Sequence, residues 1–371
     1  MPRKFKTILT CIVLSMLFGT STANAQLLRD SSSLNLLKKN IDYIYNQHYN
    51  NAQEIYLKIQ KTYPGHPVLF LLRGMQTYWK NYPLLNTNPA HVSFEEDLRQ
   101  CIKLSEKNRI PENKAEYLLT NLCARGLLLE YYNDNNLTME VIPLVTGTYG
   151  NLRKAFDYSS ACIDLQYYTG VYNYYRDAYP IAYPIYKPMV LLLPSGNMNT
   201  GLMELRNSAF KGVLLSAESY YVLAGIYLNF ENKYQQANYY CKSLHRLYPD
   251  NDLYQALYLK NLLLLEHYDE AEKLINTTLK GNENRYFQAQ IMVLKGVLQE
   301  KKYHNNKLAE QYYQSGISKI AIFGHYGNEY TAYAYFGLSR LSYIKNETST
   351  GKQFRGNAMK LATFKKINFD K

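Results

Sequence analysis

One residue with a recognition chemistry dominates this chain: 39 tyrosines stand against 13 phenylalanines and one tryptophan in 371 residues. A tyrosine buries an apolar ring while its hydroxyl reaches water or a carbonyl, so most of them suit half-exposed packing positions between helices. Between 167 and 186 they crowd, as Tyr167, Tyr168, Tyr172, Tyr174, Tyr175, Tyr179, Tyr183 and Tyr186. At that density some rings are expected to project outward, where an extended peptide or a sugar ring can stack on them, and aromatics are enriched at binding hot spots. Tyr172, Tyr175 and Arg176 are the members of this run expected to touch a partner, with packing as the alternative for each.

Bond-making chemistry finds no comparable pattern. The seven histidines, at 48, 66, 91, 245, 267, 304 and 325, never stand four apart as metal ligands on a helix would, and no paired cysteines accompany them. There is no glycine-rich loop ending in Lys-Ser or Lys-Thr to cradle a phosphate, and no Gly-x-Ser-x-Gly elbow to hold a nucleophile. Glu266, Asp269, Glu270 and Glu272 cluster, but on a turn and helix start, where capping and solvation explain them. The expectation is a protein with no catalytic residues, no metal and no cofactor. An enzyme site built on the insertions at 133–150 and 180–198 has no recognisable constellation behind it.

The elements that position the tyrosines follow from periodicity. Residues 218–251 and 252–285 form two consecutive 34-residue units: Gly225 stands eighth, Ala237 twentieth and Pro249 thirty-second in the first, and Ala271 twentieth in the second. Each alanine follows the same Tyr-x-x-Ala approach, from Tyr234 and Tyr268. Small residues fit where two helices cross, and Gly225 is read as such a crossing; a proline fits where the second helix stops. Tyr49 to Ala52 with Tyr63-Pro64 is a degraded copy. Apolar spacing predicts further helices over 68–80, 93–107, 112–132, 150–164, 166–178, from about 199, and over 286–301, 305–320, 328–345 and 350–366. Insertions are read near 83–92, 133–150 and 180–198, giving about eight hairpins in one domain over 26–371.

This period and these positions resemble the tetratricopeptide repeat. The stretch Gly170-x-Tyr172-x-Tyr174-Tyr175-Arg176, then Leu193-Pro194-x-Gly196, Gly201-Leu202-x-x-Leu205 and Ala209, is similar to the interrupted repeat of exported bacterial tetratricopeptide proteins and of the eukaryotic inclusion-body-clearance family. It departs from that pattern at Met198-Asn199-Thr200, where an acidic and a basic residue are more usual. The resemblance implies an all-α, right-handed alpha-alpha superhelix, a solenoid in which each hairpin covers its apolar stripe with its neighbours. It also implies a concave groove lined by first helices, which directs Val222, Ile226 and Asn229, and Ala256, Lys260 and Leu263, inward. Asn229 and Lys260 there could clamp a peptide backbone or a terminal carboxylate, or be ordinary solvated residues.

Residues 1–25 read as a cleaved signal peptide: Arg3, Lys4 and Lys6 precede an apolar run from Thr7 to Gly19, and Ala23-Asn24-Ala25 offers a cleavage site. The expected destination is the periplasm or the exterior, where one or two disulfides among Cys101, Cys123, Cys162 and Cys241 stay open beside buried free thiols. The formal charge of +12 becomes +9 without the three basic residues of that segment. The basic residues are scattered, so nucleic acid is not an expected partner. Only the cluster from Lys352 to Lys371 forms a local basic face, which leaves peripheral membrane association open. The expected function is an exported, non-catalytic scaffold binding a protein or peptide in its groove; the rival is a glycan-binding module using exposed tyrosines.

Overall fold

A computed structural model describes residues 27–28, 30–107, 113–190, 192–279, 281–362, 364 and 368–370; the expected signal segment lies outside them. The described residues form α-helices with no strand. In chain order these are α1 (Ser31–Tyr45), α2 (Tyr49–Thr62), α3 (Pro67–Lys80), α4 (Ala90–Lys107), α5 (Lys114–Asp134), α6 (Thr138–Tyr158), α7 (Leu165–Ala182), the short α8 (Lys187–Val190) and α9 (Met198–Lys211). Next come α10 (Ser216–Gly225, prolonged by a π-turn over Ile226–Phe230), α11 (Tyr234–Leu247), α12 (Asp252–Leu264), α13 (Tyr268–Thr278), α14 (Arg285–Lys301), α15 (Asn306–Ile320), α16 (Asn328–Ile344) and α17 (Thr348–Leu361).

Asparagine and aspartate open many of these helices. Asp30, Asn197, Asn251, Asn284 and Asn305 each accept from a backbone N–H of the first turn, satisfying a donor that has no partner inside the helix. The turns inside the hairpins share one geometry. Gln47, Asn136, Asn232, Glu266, His304 and Asn346 all have φ between 51° and 63°, and the next N–H reaches back to the closing helix, as His48 to Tyr43 O (2.8 Å) and His267 to Leu262 O (2.9 Å) do. This is the left-handed C-cap that closes a helix and reverses the chain in two or three residues.

Consecutive helices pack in pairs, and α1, α3 and α5 also touch in succession, as do α12, α14 and α16. Close crossings depend on glycine. A Cβ at Gly74 would lie 2.6 Å from Leu98 Cδ2, one at Gly201 2.6 Å from Tyr174 N, and one at Gly296 2.5 Å from the Tyr313 ring. Gly225 is not such a crossing: a Cβ there meets nothing within 4 Å, because that face of α10 borders open space. The stretch 133–150 also differs from the sequence reading. Only 135–137 turn; α6 starts at Thr138 and carries Pro143 and Gly147 inside it, where a Cβ at Gly147 would strike the Arg125 guanidinium at 2.7 Å.

The two halves of the chain meet. Asn251, fully buried, donates to Tyr45 O (2.9 Å) while its Oδ1 caps α12 at Tyr254 N (3.1 Å). Tyr248 donates to Asp42 and Tyr326 to Leu84 O. Rings of Tyr45, Trp79, Tyr82, Tyr248, Tyr254, Tyr286 and Tyr326 interlock with centroids 5.2–6.4 Å apart.

Candidate functional site

Helix α7 carries the expected contact residues, and its surroundings decide what they can do. Gly170 faces Gly201 closely enough that α9 crosses α7 with backbone nearly in contact. Pro180 falls in the last turn of α7. Beyond it the chain folds back, so that Tyr172 donates to Pro194 O (2.6 Å) and Arg176 Nη2 to Leu193 O (3.2 Å). The same residues border a lumen of about 610 Å³, walled by α3, α5, α6, α7, Leu193 and the start of α10. Tyr172, Tyr175 and Arg176 all line it, with Leu71, Met75 and Trp79 from α3 and Leu122, Cys123 and Leu127 from α5. Gly126 admits the Tyr168 hydroxyl beside α5, 3.3 Å from where a Cβ would stand.

The lumen is apolar apart from a few groups. Arg176 borders it at the mouth, and its Nη1 is tied to Asp177 (3.2 Å). Two carboxylates line it, Glu130 and Glu218, and among the described residues neither has an ion-pair or side-chain hydrogen-bond partner. Burial pushes the Glu218 carboxyl up to about 8, opposed only weakly by its own backbone N–H. Glu130 is raised too, first by the surrounding protein and then by Asp134 one turn along α5, itself raised by burial. Glu130 has exposed surface, yet its charge acts on Tyr78, Tyr167, Tyr254 and Tyr326. That surface borders the lumen, whose lining is mostly apolar, which is why desolvation still dominates.

The other expected contacts separate. Ile226 is fully buried, the first residue of the π-turn, and belongs to the core rather than to an open face. Lys260 is buried at 4% exposure, donates to Glu329 (3.0 Å) and lies 5.9 Å over the Tyr333 ring. It is neither solvated nor free to clamp a carboxylate, because Glu329, held low chiefly by Lys260 and Tyr333 against its burial, already neutralises it. Asn229 accepts from Asn368 of the C-terminal segment (3.0 Å), and half-buried Val222 borders a separate cleft of about 200 Å³ with Asn229, Lys260 and Phe364. Tyr175 touches both spaces.

None of the four cysteines among the described residues is bridged. Burial pushes the thiols of Cys101, Cys162 and Cys241 up to about 12, so none supplies a thiolate nucleophile at neutral pH. Among the described residues no group of three or more His, Cys, Asp and Glu side chains could hold a metal ion, and no helix is long and apolar enough to cross a membrane.

Sequence reasoning missed Glu130, Asp134 and Glu218 and the α3 wall. One signal was available: Glu130 interrupts the apolar run Leu127-Leu128-Leu129-Glu-Tyr131-Tyr132, and a lone carboxylate there must face a space or a partner. Compared with family models, with curated proteins and with solved structures, the chain matches none.

Proposed function

We propose that this chain is an exported, non-catalytic binding protein built as a right-handed, tetratricopeptide-like superhelix of about eight hairpins, with the periplasm or the exterior as its place of work. Its partner is a peptide segment of another protein, which seats apolar side chains in the lumen at Tyr172, Tyr175 and Arg176. Stacking of successive first helices supports the superhelical part of this reading. The observation that carries the functional part is the lumen itself: about 610 Å³, apolar, within reach of solvent, and bordered by three residues that the sequence had already singled out. That volume lies in the range of sites that enclose a small ligand or a short segment.

The groove around Asn229 and Lys260 has less in its favour, since Asn368 and Glu329 occupy the groups a peptide would use. The glycan reading keeps one specific support. Tyr179, Tyr183 and Tyr186 cluster at the edge of the proline-broken segment with centroids 4.8 and 5.3 Å apart, and Tyr179 and Tyr186 are exposed. A sugar needs many directed hydrogen bonds, however, and the lumen offers few. Catalysis has less support again. A raised carboxyl in a cavity suits an acid catalyst, but no described side chain stands within hydrogen-bonding distance of Glu130 or Glu218 to orient a nucleophile or water.

Peptide and glycan arrays probed in parallel with the wild-type chain and with Leu127→Trp, which fills the lumen, test the reading. Binding to peptides rich in Leu, Phe and Tyr, abolished in the filled variant, is expected. Peptide binding that survives the filling, or binding confined to glycans, would overturn it.

A further inference from the structure

The lumen combines two features that arise independently. Its walls present aromatic faces and edges from Trp79, Tyr167, Tyr168, Tyr172 and Tyr175, and an aromatic face attracts a cation through its quadrupole, most strongly where water is excluded. Its only carboxylates, Glu130 and Glu218, come from different helices, α5 and α10, and lack a cationic partner among the described residues. The one basic side chain among the described residues lining the lumen, Arg176, is engaged through Nη1 by Asp177 and through Nη2 by Leu193 O, while its Nε is buried without a hydrogen-bond partner. An apolar guest alone would leave both carboxyls buried against it without a hydrogen bond, a cost that a cation removes.

We propose that the group received by the lumen is an organic ammonium borne on an apolar body, with the rings of Trp79 and Tyr175 around it and Glu130 and Glu218 as its counter-charges. This deepens the ligand-site reading above and rests on it. In a peptide partner the group is a lysine side chain flanked by apolar residues; a small amphiphilic amine carries the same chemistry.

Three probes with a common eight-carbon tail, octyltrimethylammonium, 1-octanol and octanoate, titrated calorimetrically into the full chain at about pH 9, where both raised carboxyls are ionised, separate charge from bulk. The cation is expected to bind about tenfold more tightly than the alcohol. Glu218→Gln and Glu130→Gln are each expected to weaken the cation several-fold while leaving the alcohol unchanged, which also shows that the variants remain folded. Equal affinities for the cation and the alcohol, or glutamine variants without effect on the cation, would overturn the inference and leave the lumen as an apolar ligand site. Tightest binding of octanoate would overturn it in favour of Arg176 as the charge selector. If none of the three binds, the ligand-site reading falls with it. Competition between octyltrimethylammonium and the pentapeptide acetyl-Leu-Leu-Lys-Leu-Leu-amide distinguishes the sources: displacement points to a lysine side chain, its absence to a small amine.

Discussion

Glu218 sits in the lumen wall with a carboxyl held near 8 by burial against an ordinary value of 4.5. Below about pH 4.5 it is protonated whether the chain is folded or not. Between 4.5 and 8 the folded chain keeps a proton that the unfolded chain has released, so stability falls as pH rises through that window. Glu218→Gln removes this dependence. Thermal melts should find the variant close to wild type at about pH 4.5 and more stable by about 1–3 kcal/mol at about pH 8.5, a range discounted for water in the lumen. A difference that does not change with pH would contradict the placement of this carboxyl. At this scale the sequence was half legible. Tyr172, Tyr175 and Arg176 could be picked out because they are dense and one helical turn or less apart. Asn229 and Lys260 could not be placed, because whether an inward position is open or filled depends on Asn368 and Glu329, which lie far along the chain.

Helices were more readable than the joints between them. Pro67–Lys80, Arg285–Lys301 and Asn328–Ile344 follow apolar spacing closely, since each must bury one stripe. The first half of α6, from Thr138 to Tyr149, did not read as helix, because Asn133, Asn135, Asn136, Pro143, Gly147 and Gly150 look like loop. Only the turn before Thr138 uses them that way, while Gly147 makes room for Arg125. The shared hairpin turn was equally hidden, since its left-handed residue is Gln, Asn, Glu or His and never glycine. Glu266 is exposed with φ 60°, so Glu266→Gly is expected to raise stability by about 0.5–1 kcal/mol, read by denaturant midpoint. A loss of stability would mean that the turn is not strained. The crossings make a paired prediction. Gly337 abuts the Tyr313 ring, whose hydroxyl donates to buried Glu300 (2.6 Å). Gly337→Ala should therefore cost roughly 1–3 kcal/mol by displacing that ring. Gly225→Ala, facing open space with helical φ of −61°, should stabilise by about 0.5–1 kcal/mol. Melting temperatures moving the other way round would mean that the register of these helices is wrong.

At the scale of the whole molecule, the 34-residue period announced helices in succession but not the meeting of α1 and the loop after α3 with Tyr248, Tyr254 and Tyr326. A repeat pattern records what each unit needs from its neighbours; contacts between units 201 to 242 residues apart have no period and leave no local trace. Yet that meeting reaches the site. Trp79, whose ring packs against Tyr45, Tyr82 and Tyr254 in that meeting, also lines the lumen beside α7. The central claim is that this lumen is a working ligand site, and the most direct measurement is a fluorescence titration of N-phenyl-1-naphthylamine, a neutral apolar dye, into the wild-type chain and Leu127→Trp. One saturable site per chain, lost in the filled variant while its melting curve stays cooperative, is the predicted result. Dye binding that is unsaturable, or equal in both proteins, would contradict it.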